Sequence, residues 1–185
     1  APILTLRLLG DARQRAIVIS GLLPNRRGQP LVHQWFVARF DGTRLVKVQP
    51  FNEFLVETKL QGCDLPNRGA AGDATDVDAL QALLPEAVNA VSTRVMTAKT
   101  QFDNRIKPRL QEETERLRLL RERRLDVIAA AYAHRTGPAM AQRREAEERR
   151  ARQLFDQHVT WMKDAMHTAN QPFLQVVAAF VGGAR

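Results

Sequence analysis

The sequence predicts an α+β fold in which a long antiparallel, coiled-coil-like helical hairpin is inserted into a small antiparallel sheet. Three observations predict it. Residues 1–50 contain stretches that alternate between apolar and polar residues or are rich in β-branched and aromatic residues, as in strands. From Thr75 onward apolar residues recur every three or four positions, which is the period of a helix. Near the carboxyl end, residues 172–183 are apolar and partly β-branched, which is typical of a buried strand.

An antiparallel meander is predicted for the amino-terminal third. Its strands are stretches with alternating polarity or many β-branched and aromatic residues, at 3–9, 15–23, 31–40 and 43–49. The Asp41-Gly42 dipeptide favours a tight hairpin turn between the third and fourth strands. A short helix within 50–60 is expected to cap the sheet, because Phe51 and Phe54 recur at helical spacing.

The clearest boundary is the stretch 62–74, which combines Gly, Pro, Asn and Asp without periodicity and is predicted to be a loop. The strand predicted near the carboxyl end needs a sheet to join, and the sheet predicted by this sequence is the amino-terminal one. We therefore expect residues 1–61 and 172–185 to form one small α+β body. The helical hairpin is expected over 75–171.

A first helix, with Leu80, Leu83 and Leu84 on its apolar side, is predicted to begin at an N-cap, Thr75. Pro85 is expected to start a new helix, since proline inside a helix costs about 3 kcal/mol, and Pro108 is expected to kink that helix. The apolar stripe of this helix consists of Val88, Val91, Val95, Ala98, Phe102 and Ile106, and it resumes at Leu110, Leu117, Leu120 and Ile128.

The second long helix is predicted from Pro138 to about Thr168, after a turn at 134–138. Because the turn is short, the two helices must be antiparallel. Its apolar residues fall on two neighbouring stripes. One stripe holds Ala151, Leu154, His158, Trp161 and Ala165, and the other holds Phe155, Val159, Met162 and Met166.

The charge of the chain predicts an anionic partner. The formal net charge is +8 and the isoelectric point is near 10.7, so the chain attracts polyanions, with nucleic acid the first candidate and an acidic protein the next. The excess is local. Between Arg105 and Arg152 there are fourteen Lys or Arg against eight Asp or Glu, a net +6.

Two interpretations of this basic segment stay open. In the first, the charges belong to solvated helix faces on which glutamates pair with arginines three or four residues away. In the second, the surplus arginines contact phosphates or carboxylates, for which the planar guanidinium is well suited. The candidate contact residues are the arginines nearest the predicted turn: Arg121, Arg123, Arg124, Arg135, Arg143 and Arg144.

No local motif predicts reaction chemistry. The sequence lacks a phosphate-binding GxxxxGK[ST] loop, a GxGxxG, an HExxH and a CxxC, so we expect no catalytic residues, metal or cofactor. The single Cys63 indicates no disulfide framework. No apolar run approaches the roughly 20 residues that span a bilayer, so we expect a cytoplasmic protein without a membrane partner. Its first residue is Ala1, as in a fragment of a longer protein.

Four strings carry a family resemblance: PILTLRLLGDARQRA, LLPEAVNAVSTRV, RLQEETERLRLLRERR and NQPFLQVVAAFVGG. Together they resemble the C-terminal region of bacterial SWI/SNF-type helicase-like ATPases, a group that includes the RNA polymerase recycling ATPase and motors of phage-defence systems. The resemblance implies an accessory domain that follows two RecA-like motor lobes, in a parent that hydrolyses ATP and translocates on DNA. The chain contains none of the motor motifs, so no catalytic residue is carried over.

Two functions follow as expectations. The first is an accessory C-terminal domain that binds or regulates DNA, the motor domains of its parent, or a protein such as RNA polymerase. The alternative is a free-standing coiled-coil adaptor that bridges proteins and does not touch nucleic acid. Motor motifs encoded upstream of this chain would favour the first function, and a start codon there would favour the second.

Overall fold

The computed structural model describes residues 1–60 and 74–183 and confirms the α+β class. Most of the predicted loop over 62–74 lies outside the described residues, as does Cys63. The elements are strand β1 (Ile3–Leu6), a 3-10 turn (Arg7–Leu9), strands β2 (Gln14–Pro24), β3 (Pro30–Asp41) and β4 (Arg44–Pro50), helices α1 (Phe51–Glu57), α2 (Ala74–Tyr132) and α3 (Pro138–Met166), and strand β5 (Phe173–Gly182).

The five strands form one sheet in the order β1-β5-β2-β3-β4. Strands β2, β3 and β4 form an antiparallel meander as predicted, but β1, predicted as its first strand, is separated from β2 by β5. Strand β5 pairs antiparallel with β2, which confirms that the terminal strand joins the amino-terminal sheet. Strand β1 pairs in parallel with β5, with Ile3 opposite Ala179. The only parallel pair among the described strands therefore joins the two ends of the chain.

Strand β1 is shorter than the predicted 3–9. The alternation of Leu4, Leu6 and Leu8 indicated a strand with one apolar face. Instead the chain tightens into the 3-10 turn after Leu6, so that Leu9 is buried while Leu8 is 62% exposed. Burial of Leu9 in the core decides where the strand ends.

Helix α2 runs without a break through both prolines, so the new helix predicted at Pro85 is wrong. The reason is the apolar row on either side of it. Leu83 and Ala87, which precede and follow Pro85, are both buried on the same side of the helix. Their burial offsets the loss of the backbone hydrogen bond that Pro85 cannot make. The described helix already includes Ala74, one residue before the predicted N-cap. The kink at Pro108 stays a prediction.

By its internal contacts the chain divides into two units. The sheet unit comprises Ala1–Pro24, Pro30–Thr100 and Ala169–Arg185, and the hairpin unit comprises Asn25–Gln29 and Gln101–Thr168. The division falls within α2, whereas the sequence placed the boundary at the loop before it. The amino-terminal part of α2 thus belongs with the sheet, because its apolar side is buried there.

One face of the sheet packs against α2. The buried side of the helix is a row at spacings of three and four: Leu80, Leu83, Ala87, Val91, Val95 and Ala98. Helix and sheet approach closely at Gly21 of β2, where an added Cβ would overlap the Val95 side chain. Glycine is needed at position 21 because of this close approach.

The opposite face of the sheet is covered by α1 and the 3-10 turn. The side chain of Phe54, on the predicted short helix, is fully buried, and its ring lies 5.6 Å from that of Phe180 on β5. The core on this face consists of Leu6, Leu9, Ala16, Val18, Val37, Phe54 and Phe180. The sheet therefore has an apolar layer on each side.

In the hairpin unit α2 and α3 are antiparallel, as predicted. Side-chain contacts join Arg121 to Asp156 and Tyr132 to Glu147. As residue numbers increase along α2, the numbers of the residues contacted on α3 therefore decrease. Of the two stripes predicted on α3, the one with Val159 and Met162 is at least half-buried throughout. Leu154, His158 and Trp161 of the other stripe are exposed, because a single partner helix covers only one stripe.

Candidate partner-binding surface of the helical hairpin

The turn at Asn25–Gln29 closes the hairpin unit next to the end of α3. Asn25 is 5% exposed, and its Nδ2 donates to the carbonyl oxygen of Ala165 at 2.9 Å. Its Oδ1 accepts from the backbone N–H groups of Arg27 and Gln29, both at 2.9 Å. The Arg27 guanidinium consequently lies 5.6 Å from the centre of the Trp161 ring. This turn therefore helps to fix the position of an otherwise exposed tryptophan.

Part of the basic segment is neutralised within α2. The Arg118 guanidinium lies 2.8 Å from Glu115 and 2.7 Å from Glu122, and Arg116 lies 3.6 Å from Glu113. The hydrogen bond from Arg118 lowers the pKa of the Glu115 carboxyl and raises the pKa of Arg118 itself. For these residues the first interpretation, a solvated face with paired charges, is the one that the geometry supports.

Three of the six predicted contact arginines also have partners. Arg121 lies 3.1 Å from Asp156 on the other helix, and Arg144 lies 2.7 Å from Glu148, where its hydrogen bond lowers the pKa of the carboxyl. Arg135 lies 5.5 Å from the centre of the Tyr132 ring. These contacts make Arg121, Arg135 and Arg144 less available to an external anion.

The other three predicted residues, Arg123, Arg124 and Arg143, are exposed, and the described residues offer them no ion pair. Sequence reasoning missed further arginines of this kind, among them Arg149 and Arg150 on α3. The surplus of arginines was visible in the sequence, because EERRAR at 147–152 holds three arginines and two glutamates. In the structure, Arg144 and Arg152 both pair with Glu148.

The structure brings one arginine from each helix into a common groove. Arg124 of α2 and Arg150 of α3 line a cavity of about 420 Å³ together with Ile128, Glu147, Ala151 and Leu154. We call it the hairpin groove. Its one carboxylate, that of Glu147, accepts a hydrogen bond of 2.7 Å from the Tyr132 hydroxyl, which raises the pKa of the tyrosine. The groove thus holds two cations and one engaged anion beside apolar side chains.

A Ser–His contact in the sheet unit is the other arrangement with chemical potential. Ser20 Oγ lies 2.9 Å from Nε2 of His33, a contact that the sequence did not predict. However, the Trp35 indole N–H donates to the same nitrogen at 3.0 Å. Two donors compete for one lone pair, so His33 is poorly placed to remove the proton of Ser20.

Among the described residues there is no group of three or more His, Cys, Asp or Glu that could hold a metal ion. Within the same residues, no helix has both the length and the apolar content needed to cross a membrane.

Comparisons with protein-family models, curated proteins and solved structures find no match to this chain. The resemblance to SWI/SNF-type ATPases therefore stays an expectation based on the four strings quoted above.

Proposed function

We propose that this chain is a non-catalytic accessory domain of a DNA-translocating SWI/SNF-type ATPase and that its helical hairpin contacts DNA phosphates. The observation that carries the DNA contact is the set of arginines left over after ion pairing. Arg123, Arg143 and Arg149 are exposed and have no acidic partner among the described residues. The link to a motor is supported by the family resemblance.

The chemistry of these arginines fits a phosphate backbone. A guanidinium presents planar donors that match two phosphate oxygens at once and stays charged at any physiological pH. Their charge also attracts DNA before contact, at a rate that falls with salt. Such contacts carry no base information, so we expect binding to duplexes of unrelated sequence with similar affinity.

The experiment compares wild type with the triple variant Arg123→Gln, Arg143→Gln and Arg149→Gln. Arg121 and Arg144 are left intact, since their ion pairs belong to the hairpin itself. Removing one arginine–phosphate interaction should reduce the slope of log affinity against log salt by roughly 0.9, so a reduction of about two to three is expected for the triple variant. Fluorescence anisotropy of a labelled duplex at several salt concentrations measures it.

The matched control removes the same charge from the sheet unit, by changing the exposed Arg13, Arg44 and Arg94 to Gln. We expect the control to bind DNA more weakly through the net charge alone, with a smaller change of salt slope. Equal slopes for wild type and the hairpin variant, both correctly folded by circular dichroism, would rule out the hairpin arginines as phosphate contacts.

The second candidate function is the coiled-coil adaptor that binds proteins and not nucleic acid. A specific observation favours it: the hairpin unit exposes large apolar side chains, which phosphate binding does not use. Leu120 is 45% exposed, Val127 53%, Leu154 66% and Trp161 51%. Under this function DNA binding should be weak from the start and insensitive to the three arginines.

A further inference from the structure

Three exposed apolar residues of the hairpin unit, Leu120, Val127 and Leu154, lie beside a single groove. Leu119 is also exposed but lies on the other side of α2, and the exposed Trp161 lines a different cavity. At 3.6 residues per turn, residues seven apart lie within about 20° of one another around a helix. Leu120 and Val127 therefore share one side of α2, and Leu154 and Trp161 share one side of α3. Leu154 lines the hairpin groove directly, and Leu120 lies one turn from Arg124, which also lines it.

The sides of α2 and α3 that carry Arg124 and Leu154 meet at one cavity. Arg124 and Ile128 of α2 meet Leu154 of α3 across the groove, which fixes the side of α2 that is adjacent to Leu154. Leu120 and Val127 lie on the Arg124 edge of that side, about 40° and 60° around the helix from Arg124. The groove is thus bordered by Leu120 and Val127 on the α2 side and by Leu154 on the α3 side.

We propose that the hairpin groove binds an acidic amphipathic helix of a protein partner. An amphipathic helix presents apolar anchors at positions i, i+3, i+4 and i+7, and a groove with apolar side chains on both of its sides is a surface that accepts such anchors. The interaction goes beyond the DNA contact proposed above, because it uses none of the three arginines tested there.

The charge of the groove favours a partner helix with acidic residues beside its apolar face. Arg124 and Arg150 lie in the groove, and the Glu147 carboxylate already accepts the Tyr132 hydrogen. Glutamates beside the apolar face of the incoming helix would pair with these two guanidinium groups. A second copy of this chain fits less well, because its own groove would place arginines against arginines.

The test uses two labelled peptides of about 20 residues, long enough for several helical turns. Both have leucines at i, i+3, i+4 and i+7. One has glutamates flanking the leucines, and the other has lysines there. Fluorescence anisotropy with the full chain should show binding of the glutamate peptide and weak or no binding of the lysine peptide. Equal affinity for the two peptides, or no binding of the glutamate peptide, would overturn the proposal.

Two double variants test the apolar and the charged residues of the groove separately. Val127→Gln with Leu154→Gln leaves the net charge unchanged and should weaken binding of the glutamate peptide about tenfold or more. Arg124→Glu with Arg150→Glu should abolish binding of the glutamate peptide and create binding of the lysine peptide. These residues are exposed or line an open groove, so the fold should persist, which circular dichroism checks. Unchanged peptide binding in either folded variant would contradict the proposal.

The same variants separate this proposal from the DNA contact. The Val127→Gln, Leu154→Gln variant should keep the wild-type salt slope for duplex DNA, while the Arg123, Arg143 and Arg149 triple variant should keep its peptide affinity. Sedimentation of the wild type alone should show a monomer at the concentrations used for the titrations. Self-association that disappears in the Val127→Gln, Leu154→Gln variant would instead assign the groove to a second copy and overturn the acidic partner.

Discussion

Helix α2 contributes to both units of the protein, and its residues are used differently in each. In the sheet unit, Val91 and Val95 are completely buried, and their row continues through Ala98 at 8% exposure. In the hairpin unit, Ile128 is the only buried apolar residue of α2 among the residues described. A sheet covers a broad side of a helix, whereas one partner helix covers a narrow seam.

The difference in burial goes together with a difference in charge. The buried row in the sheet unit leaves little room for charged residues, and the fold of that unit depends on apolar contact. Along the seam of the hairpin unit, ion pairs such as Arg121 with Asp156 accompany a thinner apolar contact. Among the described residues, the sheet unit therefore contains most of the buried apolar side chains, and the hairpin unit is stabilised along a narrower seam.

The strongest test of this comparison places the same substitution on α2 in each unit. Val91→Asp buries an unpaired carboxylate in the sheet unit and should lower the free energy of unfolding by about 4 kcal/mol or more. Val127 is 53% exposed, so Val127→Asp should change it by less than about 0.5 kcal/mol. Urea unfolding followed by circular dichroism measures both, and similar decreases in the two variants would contradict the comparison.

A second test concerns the close approach of helix and sheet at Gly21. Gly21→Ala places a methyl group against Val95 and should lower the free energy of unfolding by about 1–3 kcal/mol. Val95→Ala removes the obstructing methyl groups, so the double variant should be less destabilised than the sum of the two single variants. Additive destabilisation across this cycle would show that the glycine is not required by contact with Val95.

The smallest expected effect is a pH dependence at Glu57 of α1. Hydrogen bonds from Lys47 and Gln49 lower the pKa of this carboxyl below its ordinary value of 4.5. Because the folded pKa is depressed, the stabilisation is present above pH 4.5 and is lost as the pH falls through the folded pKa.

Thermal unfolding of wild type and Glu57→Gln between about pH 3 and pH 7 measures this effect. The wild type should lose stability on acidification more steeply than the variant. Glu53→Gln, on the same helix but outside the cluster, serves as the control and should follow the wild type. Parallel curves for wild type and Glu57→Gln would show that the cluster contributes nothing, and the sheet unit would then depend on apolar burial alone.

Much of the fold could be predicted because its signals are local. The β-branched residues of β2, the aromatic residues of β3, the Asp41-Gly42 turn and the period of α3 are each signals carried by residues close together in the chain. The errors arose where a distant contact outweighs a local preference. Pro85 favours a helix start, yet burial of its neighbours on the sheet keeps α2 continuous.

The candidate site shows the same division. Each of the eight glutamates and aspartates between Arg105 and Arg152 lies three or four residues from an arginine, so pairs such as Glu115 with Arg118 could be predicted from spacing. The pairing of Arg121 with Asp156 could not, because 35 residues separate them in sequence and the register of two helices has no local signal. The structure was therefore needed to show which of the predicted arginines have no ion pair among the described residues.

By itself, the sequence determined the class of the fold, the antiparallel hairpin, the joining of the terminal strand to the sheet and the basic excess near the turn, because periodicity, turn residues and charge act over a few residues. Only the tertiary structure decided that β5 lies between β1 and β2, that Trp161 and Leu154 are exposed, and that Arg124 and Arg150 share a groove. Each of these depends on which surfaces meet, and that is set by the packing of segments far apart in the chain.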